Sequence, residues 1–172
     1  MNPKLSPIFS RRSVRRYTEA PVTDEQMRDL LEAAMAAPSA AGKDPWHFIV
    51  VREQEMLKRI AENLPYGKFI VQAGMCIIVC GDLERAHANE LSYMTQDCSA
   101  AIENLMIAAA ILGLGTCWLG VHPREERVQY LSALFNLPKN IVPLAGIAVG
   151  WPVDTPAART RFRQEAVHTD RW

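Results

Sequence analysis

A layered domain with a β-sheet covered by helices on both faces, of α/β or α+β type, is expected from the amino-acid sequence on three grounds. Short apolar runs rich in β-branched residues, at 46–51, 75–80, 116–121 and 141–149, are separated by stretches of helical periodicity. The chain has 172 residues, 49% hydrophobic and 22% charged, which suits one core. No Gly/Ser linker, composition shift or repeat of solenoid length divides it, so a single domain over residues 1–172 is expected.

The elements follow in order. The first ten residues carry one cation, Lys4, and no sustained apolar core, so a secretory signal is not expected and a cytoplasmic location is. Thr23-Asp-Glu-Gln26 has the form of a capping box, and Met27, Leu30, Leu31, Ala34 and Met35 follow at helical spacing, predicting a helix that ends before Pro38. The run 46–51 after Pro45 is aromatic and β-branched, as a buried strand should be. A helix over 54–62 leads into Asn63-Leu-Pro-Tyr-Gly67, a loop in lid position. The run 75–80 is a second strand.

From about 93 to 112 the helical period is rich in Ala and predicts a helix buried on most sides. Its continuation to Val121 is uncharged, but Gly113, Gly115 and Gly120 break it into helix end, turn and strand, so no membrane span is expected. Pro123 in a first-turn position starts a helix reaching about 135, and 141–149 is the last strand. Beyond Trp151 the chain turns polar yet keeps Phe162 and Trp172, the mark of a tail that packs on another surface, such as a second subunit.

Composition excludes several function classes. Lys and Arg number 19 against 19 Asp and Glu, so no broad field attracts nucleic acid. Cys76, Cys80, Cys98 and Cys117 form no C-x-x-C pair and lack companion histidines, which argues against a metal site or a redox dithiol. In a strand Cys76 and Cys80 share a face and pack as small hydrophobes.

Three segments carry candidate chemistry. Arg11-Arg-Ser-Val-Arg-Arg-Tyr17 gathers four guanidinium forks, suited to phosphate oxygens, although a solvated basic face paired with carboxylates would look the same. Ala37-Pro-Ser-Ala-Ala-Gly-Lys-Asp-Pro-Trp46 is a loop of small residues that a planar ligand could approach, or an ordinary connection. Gly113-Leu-Gly-Thr-Cys-Trp-Leu-Gly-Val-His-Pro123 could offer backbone N–H groups, as could many Gly-punctuated turns.

In this order and at these separations the three segments, with Pro45-Trp-His-Phe-Ile-Val50 and the late Arg159-Thr-Arg161, resemble the nitroreductase family of FMN flavoproteins over nearly the whole chain. The resemblance implies an α+β, three-layer fold: a central, mainly antiparallel sheet flanked by helices, with a C-terminal tail extending onto a dimer partner. It implies a homodimer with FMN at the subunit interface and NADH or NADPH as electron donor. Arg11, Arg12 and Ser13 would hold phosphate and ribityl groups with Arg159 and Arg161, and Arg15 would reach the pyrimidine edge. Pro38, Ser39 and Ala40 would line the ring from the partner subunit, and the backbone of Trp118, Leu119 and Gly120 would run beside its central edge. Gly42 and Asp44 stand where the family usually has amides, and Lys43 beside them could supply a positive charge instead.

The chemistry implied is reduction of nitroaromatics, quinones or similar electron-poor acceptors by a ping-pong mechanism, with the hydride carried at flavin N5 and no protein acid–base pair required. Tyr66, Phe69, Gln96 and His122 are the candidates to line the substrate side. The ordinary alternatives are rim or core aromatics for Tyr66 and Phe69, a helix cap for His122, and N-terminal caps for Gln96 and Asp97 ahead of the buried helix. Competing functions are dehalogenation or enone dehydrogenation on the same flavin, a flavin-binding or sensing protein without turnover, and a small nucleic-acid module using residues 11–16.

Overall fold

A computed structural model describes residues 2–172. Its four strands, β1 (Trp46–Val51), β2 (Met75–Asp82), β3 (Gly115–Gly120) and β4 (Ile141–Gly150), form one sheet in the order β1-β2-β4-β3, with every neighbouring pair antiparallel. The antiparallel pairing decides between the two expected classes in favour of α+β. Five helices accompany it: α1 (Ser6–Ser10), α2 (Asp24–Met35), α3 (Gln54–Asn63), α4 (Leu91–Ile111) and α5 (Glu125–Leu134).

The period-2 alternation of the central strands builds two cores. On one face Met75, Ile77 and Val79 pack with Ile147 and Val149 against Leu30 and Ala34 of α2 and Ile102 and Leu105 of α4. On the other, Cys76, Ile78 and Cys80 meet Leu57 and Ile60 of α3, Ile70 of the short turn helix Lys68–Gln72, and Leu131 of α5. The result is three layers. Burial pushes the thiols of Cys76, Cys80 and Cys98 up to about 12. These thiols are expected to resist iodoacetamide at pH 8 in the native state and to react once denatured, as counted by mass spectrometry.

The capping box forms at the start of α2: the Gln26 N–H donates to Thr23 Oγ1 at 3.1 Å and the Thr23 N–H to Gln26 Oε1 at 3.0 Å. Thr23→Ala is expected to cost about 1 kcal/mol in urea unfolding. At the same end of the sheet, α4 stops in a Schellman motif, with the Leu114 N–H donating to Ala109 O (2.8 Å) and the Gly113 N–H to Ala110 O (3.3 Å). Gly113 takes φ of 78° there, where a side chain would be strained. That turn delivers the chain into β3.

Three local expectations are corrected. Helix α4 begins at Leu91, so Gln96 and Asp97 lie within it and cap nothing; the Asp97 carboxylate instead accepts the Ala40 N–H at 2.9 Å. Pro123 is outside α5, whose N-cap is Arg124, because the Arg124 N–H closes a tight turn onto Val121 O at 3.0 Å. For the same reason His122 caps no helix; its N–H, like that of Val121, bonds Leu144 O. Leu144 is the extra residue of a bulge: β2 pairs Val79 with Ala145 but Cys80 with Pro143, so the Leu144 carbonyl is available to fix the end of β3. Helix α1 carries no periodic signal in sequence and was not expected.

Candidate active site

The basic segment 11–17 is extended and lies beside β3. Ser13 bridges Thr116 in parallel, the Val14 N–H donates to Thr116 O at 2.8 Å, and Val14 is buried while Ser13 and Arg15 stay exposed. Gly115 permits this closeness, since a Cβ there would sit 2.8 Å from the Val14 side chain. Tyr17, its phenol pushed up by burial, donates to Val14 O at 2.7 Å and pins the end of the segment.

This placement gathers all of the residues assigned to phosphate from the sequence. Arg11, Arg12, Ser13, Arg15, Arg159 and Arg161 line one strongly polar cavity of about 380 Å³ with Ile8. The late segment is held there by the Arg12 guanidinium, which donates to Ala157 O, and by the Arg159 N–H on Phe9 O at 3.3 Å. Part of the basic run is indeed paired, Arg11 with Glu103 at 3.2 Å and Arg16 with Asp154 at 3.5 Å. Arg12, Arg15, Arg159 and Arg161 have no carboxylate within 4.0 Å among the described residues. Mutual repulsion follows: the charges of Arg161 and then Arg12 hold Arg159 below the usual guanidinium range. An anion is the missing counter-charge, and the donor set fits a phosphate.

A second cavity, of about 250 Å³, adjoins the first at Arg15. Trp118, Leu119 and Gly120 of β3 form one wall, and Leu64, Tyr66 and Phe69 another. Tyr66 is 85% exposed, on the loop expected at 63–67. Cys117 also lines it; burial raises its thiol and Arg15 pulls it back.

The remaining candidates lie elsewhere. Gln96 and His122 line neither of these cavities in one chain: Gln96 Nε2 donates to Ser92 O within α4, and the His122 N–H donates to Leu144 O. Pro38, Ser39, Ala40 and Lys43 also lie off both cavities. Their loop is tightly built, with Ser39 Oγ donating to Asp44 Oδ1 at 2.6 Å, and Ala41, Gly42 and Asp44 at φ of 52°, 62° and 48°. Asp44 therefore closes the loop on Ser39, where a family amide would stand, and the Lys43 carbonyl accepts from Arg85 Nε at 2.7 Å. Sequence reasoning missed Arg127, which lines the second cavity from α5 and donates through Nη1 to Gly120 O at 2.7 Å. Nothing in the run Arg124-Glu-Glu-Arg127 distinguishes it from a solvated helix face.

Among the described residues no helix is long and apolar enough to cross a membrane, and no cluster of three His, Cys, Asp or Glu side chains could hold a metal ion.

Comparison with known proteins gives concordant results. The Nitroreductase family profile matches residues 8–64 and 61–151. A protein of Archaeoglobus fulgidus, provisionally named NADH dehydrogenase/NAD(P)H nitroreductase, is 42% identical over 171 residues, 98% of each chain. The FMN reductase [NAD(P)H] of Bacillus subtilis is 31% identical over 184 residues, covering 98% of this chain and 73% of its own. A crystal structure from Desulfovibrio desulfuricans, described provisionally as a nitroreductase in complex with FMN, superposes with a TM-score of 0.84 at 31% identity, covering 100% of this chain and 99% of that one. With its antiparallel three-layer fold, its paired cavities and a profile match spanning most of its length, the chain belongs to the Nitroreductase family.

Proposed function

We propose that this protein is an FMN-dependent oxidoreductase that takes electrons from NADH or NADPH and passes them to nitroaromatics, quinones or similar electron-poor acceptors, donor and acceptor alternating at one site. The observation that carries this is the pair of joined cavities: one ringed by guanidinium groups short of counter-charge, the other walled by aromatic and apolar side chains, with Arg15 on both. That is the shape and charge distribution of a planar ring bearing a phosphate. The names of the relatives, FMN reductase and NAD(P)H nitroreductase, support the same cofactor and donor.

FMN when bound supplies hydride acceptance and release, so the reaction with a quinone is NAD(P)H plus a proton plus quinone giving NAD(P)⁺ and hydroquinone. The chain's residues bind, orient and tune. Arg11, Arg12, Ser13, Arg159 and Arg161 hold the phosphate. Arg15 places a positive charge at the junction of the cavities, where it favours negative charge building on the ring. The backbone of Trp118, Leu119 and Gly120 would flank the ring, with Tyr66 and Phe69 lining the same cavity from its other wall.

A homodimer is part of the proposal. Ile111, Phe162 and Trp172 are 64%, 71% and fully exposed, apolar side chains that a second copy would cover, and the loop of Pro38, Ser39, Ala40 and Lys43 would reach the cavity of that copy. Four unpaired thiols suit the cytoplasm.

The test is spectral. Purified protein should be yellow, lose its 450 nm region absorption on anaerobic titration with NADH or NADPH, and regain it on addition of an acceptor. A colourless preparation that takes up no FMN would refute the assignment, and a flavoprotein inert to both nicotinamides would make it a passive binder.

A further inference from the structure

Arg127 stands apart from every other cation near the two cavities. It does not touch the phosphate-side cavity, yet it lines the aromatic one opposite residues of the exposed loop, Pro65 and Tyr66. Among the described residues it has no carboxylate within 4.0 Å, although Glu125 and Glu126 are its neighbours on α5. Its Nη1 is fixed by Gly120 O at 2.7 Å, which holds the guanidinium against the end of β3, while its Nε is buried without a hydrogen-bond partner. A half-buried guanidinium with spare donors is costly to leave unanswered. The neighbours Tyr66, Phe69 and Trp118 offer flat apolar surface and no negative charge.

From this geometry we infer that Arg127 is a specificity-determining residue that reads an anionic group on the substrate. The electron acceptor is then a planar aromatic or quinonoid molecule bearing a carboxylate or equivalent charge. With FMN against the backbone of Trp118, Leu119 and Gly120, the acceptor ring stacks on the flavin's open side beside Tyr66 and Phe69, and its anion takes the remaining terminal N–H donors of Arg127. The inference rests on the proposed reductase function for the identity of the acceptor, but the recognition itself is a binding property of the cavity. The pyrophosphate of the nicotinamide donor carries the same chemistry, and the experiment separates the two sources.

The holoprotein is titrated calorimetrically with benzoate and with benzamide, its neutral isostere, and steady-state KM values are measured for 4-nitrobenzoate, 4-nitrobenzamide, NADH and NADPH. Wild type should bind benzoate about ten- to a hundredfold more tightly than benzamide, the range of a charge-assisted contact. Arg127→Gln keeps a donor for Gly120 O and should raise the ratio of KM for 4-nitrobenzoate to that for 4-nitrobenzamide by a similar factor; Arg127→Lys should restore part of it. Equal binding of benzoate and benzamide by wild type overturns the inference even if the variants fail to fold. A ratio unmoved by Arg127→Gln, or a change confined to the KM of the nicotinamides, overturns it as well. Discrimination of benzoate in binding without turnover of either nitro compound refutes the reductase function and leaves the anion site standing.

Discussion

Arg159→Ala combined with Arg161→Ala is expected to give a folded but colourless protein. Both side chains line the polar cavity, neither has a carboxylate partner among the described residues, and both belong to a segment outside the sheet and its helices. Two charge-assisted contacts to a phosphate vanish together, so FMN affinity should fall by at least about a hundredfold in fluorescence titration. The stability of the cofactor-free form should not fall. Arg161 and Arg12 already depress the proton affinity of Arg159, so deleting two members of a mutually repelling cluster removes an unfavourable term from the empty protein. Loss of ligand without loss of fold is the signature of a binding role; equal loss of both would show these arginines to be structural.

Gly115→Ala should damage fold and site together. The added Cβ would meet Cβ, Cγ1 and Cγ2 of Val14 at 2.8 Å. Valine has one stiff χ1 and cannot fold its methyls away, and its backbone is tied by the 2.8 Å bond from Val14 N–H to Thr116 O. Relief requires the segment to lift from β3, carrying Ser13 and Arg15 with it. A cost of about 1–3 kcal/mol in chemical denaturation is expected from overpacking. FMN affinity measured in parallel should drop also, because both cavities share Arg15. Retention of wild-type affinity would show that the ligand does not depend on this seating.

The contrast between what the sequence disclosed and what it concealed follows from the range of the interactions. The four strands and α2 were readable because period-2 and period-3.6 patterns and a capping box are local; even the shared face of Cys76 and Cys80 follows from spacing alone. Antiparallel direction and strand order are not local: the resemblance to a family supplied the first, and only the structure supplied the second. Among site residues, those assigned to phosphate converge in one cavity from two motifs far apart in the chain, a pairing that the resemblance and not spacing suggested. The capping alternatives for Gln96 and His122 failed for local reasons: α4 already includes Gln96, and the Val121–Arg124 turn draws His122 onto a bulge carbonyl that no periodicity announces. Arg127 was invisible since its significance lies in a contact to Gly120 made only when α5 folds back on β3.

The Arg12–Ala157 contact joins groups 145 residues apart, and the polar cavity is walled by both of those segments. A bound anion therefore acts as a removable rivet across a seam that the hydrophobic layers do not reach. At a ligand concentration a hundred times Kd it would hold the native state by about 2.7 kcal/mol. Without it the late segment is the natural place for a protease to enter, so cofactor starvation and degradation become coupled: nicking by trypsin around Arg159 to Arg163 should be fast in the stripped protein and slow once FMN is restored.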